Sequence, residues 1–117
     1  MVGSVLKDRP RDSFMIMTSS GDINWLDTQT GMFTENWTHD AYMQALDGSL
    51  KRLQVDYLDI FILPFAATRE SVFQKSAIKA METIKKNGKA KYVGIATHRL
   101  EHEAIRAATE VGMYDII

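Results

Sequence analysis

Short apolar runs alternate along this chain with segments of helical periodicity, and this order constrains the fold more than any other feature. The apolar runs predict strands at residues 14–18, 56–63, 91–96 and 114–117. Between them, apolar residues recur every three or four positions, as they do on one face of a helix. The order β-α-β-α-β-α-β predicts an α/β fold with a parallel sheet and right-handed crossover connections.

Each predicted helix is marked by an apolar stripe and by residues that suit its ends. Thr38 is a suitable N-cap for the first helix, and Gly88 and Gly112 suit the positions just beyond the second and third. Because methionine often fills irregular core space, we also expect four methionines in the core. The stripes are Tyr42, Leu46, Ser49 or Leu50, and Leu53; Phe73, Ala77, Ala80 or Met81, and Ile84; and Leu100, Ala104, Ala107 or Ala108, and Val111; the methionines are Met15, Met17, Met43 and Met81.

The spacing of the strands leaves two architectures open. The predicted strands start near residues 14, 57, 91 and 114. The distances in sequence between consecutive starts bracket the average of about 31 residues per βα unit in a (β/α)₈ barrel of about 250 residues. A small doubly wound sheet is the alternative, and composition does not separate the two. The last strand opens at Tyr114 and no residue follows to complete or cover it. We therefore expect a partial (β/α)₈ TIM barrel of four parallel strands, as a single domain over residues 1–117.

Residues 19–37 form a long polar loop in which we predict no helix or strand. Glycine, asparagine, aspartate and threonine recur there without periodicity. A connection of this length is unusual in a compact domain, so the loop is either functional or partly disordered. Trp25 and Trp37 within it either cover the mouth of the barrel or pack the loop down.

Charge and cysteine content exclude several classes of function. Fourteen lysines and arginines nearly balance fifteen aspartates and glutamates, for a net charge of −1, so there is no overall drive toward nucleic acid or an anionic membrane. The absence of cysteine excludes thiolate metal sites and cysteine nucleophiles from this chain. We see no targeting segment and no apolar run long enough to span a bilayer. A cytoplasmic protein is the expectation.

Two ungapped strings carry a family resemblance. Residues 50–61, LKRLQVDYLDIF, and residues 87–95, NGKAKYVGI, resemble segments of the aldo-keto reductases at the proper separation. The approach to the first strand and the opening at Tyr114 are similar to that family as well. The resemblance implies strands three to six of its eight-stranded barrel. It also implies an oxidoreductase ancestry, in which the complete protein reduces a small-molecule carbonyl substrate with NADPH.

The catalytic positions that the resemblance reaches depart from the family pattern. The family uses a tyrosine acid with an aspartate, a lysine and a histidine, and its tyrosine and aspartate belong to a strand that precedes this chain. Ser19 stands where the family has lysine, and Pro64 stands where it has histidine. Neither residue can tune the pKa of the acid or orient a carbonyl. At the pair that holds the nicotinamide amide, Ala96 offers no hydrogen bond and Thr97 offers one.

We therefore predict no catalytic residue in this chain, no cofactor bound to it alone, and no metal site. His98-Arg99-Leu100-Glu101-His102 fits the H-x-x-E-H zinc motif, but no distant third ligand is available, and a polar helix start is the simpler interpretation. Sites of barrel enzymes assemble at the carboxyl ends of the strands. Thr97 is the candidate cofactor-binding residue; the candidate pocket rim is Thr18, Ser19, Ser20, Pro64, Phe65 and His98.

Two hypotheses on the function of this chain remain open. The chain belongs either to an oxidoreductase or to a non-catalytic barrel relative that acts as a binding or scaffold protein.

Half a barrel leaves two unpaired strand edges and an uncovered inner face. We therefore expect a homo-oligomer, most simply a two-fold dimer. The alternative is a monomer in which Trp25, Met32, Phe33 and Trp37 of the long loop cover that face.

Overall fold

The described part of the chain in the computed structural model contains five α-helices, a short 3₁₀ helix (Arg11–Ser13) and five strands. The structure describes residues 1–20, 38–63, 69–97 and 100–117, together with the backbone of residues 24–26 and 33–35. The helices are α1 (Val2–Leu6), α2 (His39–Leu53), α3 (Arg69–Val72), α4 (Lys75–Lys86) and α5 (Glu101–Val111), and the strands are β1 (Met17–Ser19), β2 (Asn24–Leu26), β3 (Phe33–Glu35), β4 (Leu58–Leu63) and β5 (Ala90–Ile95).

The central sheet is parallel, with the strand order β1-β4-β5. Met17 pairs with Ile60, and Ile60 pairs with Tyr92, so the three strands stand in one continuous register. This open parallel sheet with its connecting helices confirms the predicted α/β fold class. Within the described residues the sheet has three strands rather than the four expected.

The core lies between this sheet and the helices. Phe61, Leu63 and Val93 on the strands are fully buried, as are Leu46 on α2 and Met81 on α4. Thr38 caps α2 as predicted, because its hydroxyl oxygen accepts a hydrogen bond from the backbone N–H of Ala41 at 3.2 Å. Burial of most of the predicted stripe residues against the sheet therefore fixes the positions of the crossover helices. Leu100 is an exception, because it lies at the N-cap of α5 and is 49% exposed.

The first strand is shorter than predicted, and two of its methionines are not in the core. The backbone N–H of Ile16 donates to the side chain of Asp59 in β4 at 2.8 Å rather than to a backbone carbonyl of that strand, so the ladder begins at Met17. Met15 and Met17 are 71% and 65% exposed. Because side chains alternate along a strand, both lie on the sheet face opposite the buried Ile16. Met43 and Met81 do contribute to the core.

Two other sequence predictions need correction. The loop at residues 19–37 contains β2 and β3, which pair antiparallel, with Trp25 opposite Thr34. Strands of three residues are too short to show a period of two, so the pattern did not reveal them. The second predicted helix is split, since α3 ends at Val72 and α4 begins at Lys75. Phe73 therefore precedes α4 rather than lying within it.

The expected fourth strand at residues 114–117 is reduced to a single bridge between Gly94 and Ile116. The cause is the Asp115 side chain, whose carboxylate accepts the backbone N–H of Val93 at 2.9 Å. Lys85 holds the same carboxylate with contacts of 2.9 and 2.8 Å. The Asp115 side chain thus accepts the hydrogen bond from the backbone N–H of Val93 that a longer β-ladder would use.

None of the helices in the described residues is long and apolar enough to cross a membrane.

Candidate functional site

The carboxyl ends of the three parallel strands meet at one edge of the sheet, as the barrel prediction requires. Ser19 pairs with Ile62, and Ile62 pairs with Gly94. One step further, the N–H of Ser20 donates to Ile62 O at 3.2 Å, and the N–H of Ala96 donates to Leu63 O at 2.9 Å. The register therefore brings the predicted positions after β1 and β5 to the same edge, which we call the carboxyl edge.

The hydroxyl groups at this edge differ in their surroundings. Ser19 is exposed, and Thr97 is half-buried and has an interaction partner. Ser20 is 1% exposed, and its Oγ has no hydrogen-bond partner in the described part of the chain. Thr18 is half-buried and lines a cleft with α1 and α2. The alternation of side chains thus separates Thr18 from Ser19.

Three of the predicted rim residues, Pro64, Phe65 and His98, lie outside the described residues. The same holds for the side chains of the proposed loop cover, Trp25, Met32, Phe33 and Trp37. His102, the second histidine of the H-x-x-E-H string, lies in the first turn of α5 and is exposed.

Among the described residues of the carboxyl edge, Ser19, Ser20, Ala96 and Thr97 offer hydrogen bonding without proton transfer. Ser19, Ser20 and Thr97 carry hydroxyl groups, which donate and accept hydrogen bonds but do not titrate near neutral pH. Ala96 contributes only a methyl group. General acid–base catalysis draws on histidine, carboxylates, lysine, tyrosine or cysteine. A nicotinamide amide would find a single hydroxyl at the Ala96-Thr97 pair, so these residues do not complete a site for the cofactor.

Tyr114 carries an ionisable phenol, unlike the serine and threonine hydroxyl groups of the carboxyl edge, but its environment gives it a structural role. Its hydroxyl donates to the carbonyl oxygen of Val72 at 3.2 Å. Burial raises the pKa of Tyr114 to about 12. The phenol therefore stays protonated near neutral pH and joins the C-terminal segment to the end of α3.

A cluster of charged and aromatic residues lies at the opposite, amino edge of the sheet, and sequence reasoning missed it. Arg11 donates to a carboxylate oxygen of Asp59 at 2.8 Å and to the carbonyl oxygen of Tyr57 at 3.0 Å. Its guanidinium lies 4.0 Å from the centroid of the Tyr57 ring. Lys91 approaches the other carboxylate oxygen of Asp59 at 3.4 Å. We refer to Arg11, Tyr57, Asp59 and Lys91 as the amino-edge cluster.

Asp59 is charged in this cluster. Burial by itself raises the pKa of the Asp59 carboxyl, but the hydrogen bonds from the Ile16 backbone, Arg11 and Lys91 outweigh burial and hold the pKa below its usual value. The sequence did contain a signal, because an aspartate inside an apolar strand requires a cation nearby. Because the active sites of barrel enzymes assemble at the carboxyl ends of the strands, a charged cluster at the amino ends serves stability rather than catalysis.

The comparisons with known proteins agree with this geometry. The sequence model described as "Aldo/keto reductase family" matches residues 1–116. Glyoxal reductase of Bacillus subtilis is 27% identical over 71 residues, which is 61% of this chain and 25% of that protein. Methylglyoxal reductase DkgA of Salmonella typhimurium is 33% identical over 88 residues, which is 72% of this chain and 30% of that protein.

Solved structures resemble the chain in fold as well. The holo form of the aldo-keto reductase AKR11C1 from Bacillus halodurans superimposes with a TM-score of 0.72 and 26% identity, over 99% of this chain and 36% of that one. The chain thus spans between 25% and 36% of the length of these three proteins.

Proposed function

This chain belongs to the aldo/keto reductase family, and we propose that it is the segment from the third to the sixth strand of an oxidoreductase barrel that reduces small carbonyl compounds with NADPH. The match over residues 1–116 carries the proposal. The parallel order β1-β4-β5 supports it, because that order is the one consecutive barrel strands adopt.

Small dicarbonyl compounds are the substrate class we propose for the complete protein. The relatives named above include a glyoxal reductase and a methylglyoxal reductase. The balanced charge of the chain supports an uncharged substrate rather than a nucleic acid or a membrane surface. The cytoplasmic location expected from the sequence stays a prediction.

The 117-residue chain by itself should be inactive, because the described carboxyl edge offers no acid or base. With methylglyoxal and NADPH, we expect oxidation of NADPH at the rate of a protein-free blank. Turnover above that blank that is lost in Thr97→Ala would contradict this prediction. NADPH titrated against the chain should likewise bind more weakly than micromolar, since Thr97 is the one residue with a hydroxyl group that the resemblance places at the nicotinamide amide. Micromolar binding by fluorescence would show that the chain holds more of the cofactor site than we propose.

A chimera tests whether the substituted positions limit the chemistry. Residues 1–116, which the family model matches, would replace the segment from the third to the sixth strand of Bacillus subtilis glyoxal reductase, which supplies the remaining strands. We expect a folded barrel with little turnover, and the double substitution Ser19→Lys with Pro64→His should raise NADPH-dependent reduction at least about 10²-fold. The control is Ser13→Lys, an exposed serine at the amino edge. An equal rate before and after the double substitution would contradict the assignment of these positions.

A non-catalytic barrel relative that binds a ligand or acts as a scaffold is the second candidate function. Ser19, Pro64 and Ala96 favour it, because each replaces a chemically active family residue with one that cannot perform its role. The sequence that encodes the second strand discriminates the two. An Asp-x-x-x-x-Tyr string there supports the oxidoreductase, and its absence supports the binding protein.

Self-association is the assembly we propose for this chain. Met15, Met17 and Tyr92 are 71%, 65% and 48% exposed on the sheet, and Ile117 beside β5 is 53% exposed. Exposed apolar surface favours association, and so does the outer edge of β1, which pairs with no strand among the described residues. Two copies related by a two-fold axis parallel to the strands would pair β1 of each copy with residues 114–117 of the other.

A further inference from the structure

The turn that joins α4 to β5 carries an asparagine followed by a glycine. Asn87 is the C-cap of α4, with backbone angles φ −79° and ψ −3°, and Gly88 follows in the left-handed region at φ +70°. Both residues are exposed. A Cβ atom at position 88 would find open space, with no heavy atom beyond the adjacent residues within 4 Å. The dipeptide therefore lies in solvent at the amino edge of the sheet, away from the function proposed above.

An exposed asparagine before a glycine reacts with its own backbone. The backbone nitrogen of Gly88, once it has lost its proton, attacks the side-chain carbonyl carbon of Asn87. A bond forms between that nitrogen and Cγ, the bond from Cγ to Nδ2 breaks, and ammonia leaves, which closes a five-membered succinimide ring. Water then opens the ring at either carbonyl group. The product is an aspartate, or an isoaspartate in which the main chain runs through the former side chain.

Asn87 is the asparagine of this chain for which that attack is least hindered. The chain has two others, Asn24 and Asn36, and each precedes a tryptophan. A bulky side chain shields the nitrogen of its own residue, whereas glycine has no side chain and the widest choice of backbone angles. The backbone of Asn24 is also held in β2, opposite Glu35. The chain thus contains its own comparison for the reactivity of Asn87.

The folded turn slows the reaction without preventing it. The N–H of Gly88 donates to the carbonyl oxygen of Lys85 at 3.1 Å, and the N–H of Asn87 donates to that of Thr83 at 2.9 Å. The attack requires the first of these bonds to break and the backbone of Asn87 to rotate away from its helical angles. Terminal turns of helices open at a small cost in free energy. The reaction therefore needs the opening of one turn rather than the unfolding of the chain.

Both products disturb the start of β5. Lys89 follows the dipeptide; its N–H donates to the carbonyl oxygen of Ile84 at 3.1 Å, and its carbonyl oxygen accepts the N–H of Leu58 at 2.9 Å. An isoaspartate lengthens the main chain by one carbon atom immediately before this pair of bonds. A carboxylate at position 87 also lies at the carboxyl end of α4, where negative charge is unfavourable. The modification thus loosens β5 from α4 and β4.

We propose that Asn87 is a site of spontaneous deamidation and isoaspartate formation that loosens the start of β5, with water as the only co-reactant. The full chain would be kept in mildly alkaline buffer, where more of the backbone nitrogen is deprotonated, and conversion at each asparagine would be followed by peptide mass spectrometry. We expect Asn87 to convert at least about tenfold faster than Asn24 or Asn36. It should convert more slowly than a free peptide of residues 84–91, in which no helix holds the N–H of Gly88.

Two variants of the full chain complete the test. Asn87→Gln has a longer side chain that would have to close a six-membered ring, so position 87 should stay unmodified under the same conditions. Freshly prepared Asn87→Asp introduces the carboxylate without changing the main chain. After incubation, the wild type should melt at a lower temperature than fresh Asn87→Asp, because it also contains isoaspartate, whereas Asn87→Gln should melt as it did before incubation.

Three results would overturn the proposal. The first is equal conversion at the three asparagines, and the second is an Asn87 that stays intact while the free peptide converts. The third is a wild-type chain whose melting temperature is unchanged after most of its Asn87 has become isoaspartate, since the modification would then leave the start of β5 in place.

Discussion

Replacing Asp59 with asparagine removes the one negative charge at the centre of the amino-edge cluster while keeping the shape of the side chain. Arg11 and Lys91 then face an amide instead of a carboxylate, and the N–H of Ile16 keeps at most a neutral acceptor. Breaking a buried pair on one side costs about 3–5 kcal/mol. The Arg11 and Lys91 side chains are 22% and 54% exposed, so water compensates part of that loss.

We therefore expect Asp59→Asn to lower the free energy of unfolding by about 2–3 kcal/mol. The entropy of unfolding for 117 residues is about 0.25 kcal/mol/K. The melting temperature at pH 7 should fall by about 8–12 °C. Differential scanning calorimetry or far-UV circular dichroism measures this shift directly.

The matched control is Asp47→Asn. Asp47 pairs with Lys89 at 2.6 Å, but its side chain is 55% exposed, so its loss should cost less than about 1 kcal/mol. Equal shifts in the two variants would refute the special role of the amino-edge cluster.

The pH dependence of the same variant gives a second, independent readout. The folded-state pKa of Asp59 is lowered, so its contribution is complete above the unfolded-state pKa of about 3.9 and is lost as the pH falls through the lower folded-state value. The difference in stability between the wild type and Asp59→Asn should therefore shrink when the pH is lowered below about 4. A difference that stays constant from pH 7 to pH 2.5 would show that shape, rather than charge, is responsible.

Three further predictions concern assembly and the C-terminal segment. Light scattering should give a mass above the 13.3 kDa of one copy, and this mass should decrease on dilution. Met17→Lys should shift the chain toward the monomer because it places a charge on the exposed face of the sheet. A mass of one copy at every concentration would exclude the oligomer. Gly94→Ala should destabilise by about 1–3 kcal/mol, because the new Cβ would lie 2.6 Å from the carbonyl oxygen of Ile116; an unchanged melting temperature would show that this segment gives way easily. Tyr114→Phe should cost about 0.5–1.5 kcal/mol through the lost bond to Val72, and hydrogen exchange near Val72 that matches the wild type would argue against that bond.

The sequence predicts most of the central architecture because the signals involved are local. Apolar runs and helical stripes place β4, β5, α2 and α5 to within a residue or two, and Thr38 marks the start of α2. Signals that depend on partners distant in the sequence were missed. The start of β1 depends on Asp59, and the shortening of the last strand depends on the Asp115 carboxylate. Neither side-chain contact can be inferred from periodicity.

The candidate site likewise combines features that local sequence signals predict with features that depend on residues distant in the sequence. Sequence order is sufficient to bring Ser19, Ser20 and Ala96 to one edge, since parallel strands share their direction. The burial of Ser20 and the turning of Thr18 toward α2 depend on the pleat and on the helix packed over it. The cleft that Thr18 lines with α1 and α2 also lies beyond sequence reasoning, because α1 is too short to give a periodic pattern.

The parallel register of the sheet has a consequence for how the chain folds. Every pairing in the central sheet joins residues roughly thirty to forty positions apart, and the Arg11–Asp59 contact spans 48. Contacts of this separation require large loops to close first, which slows folding. During synthesis β1 therefore has no partner until β4 has emerged from the ribosome, and in that interval its exposed methionines are available to other chains. Slower production at lower temperature, which weakens apolar association, should then raise the yield of folded protein.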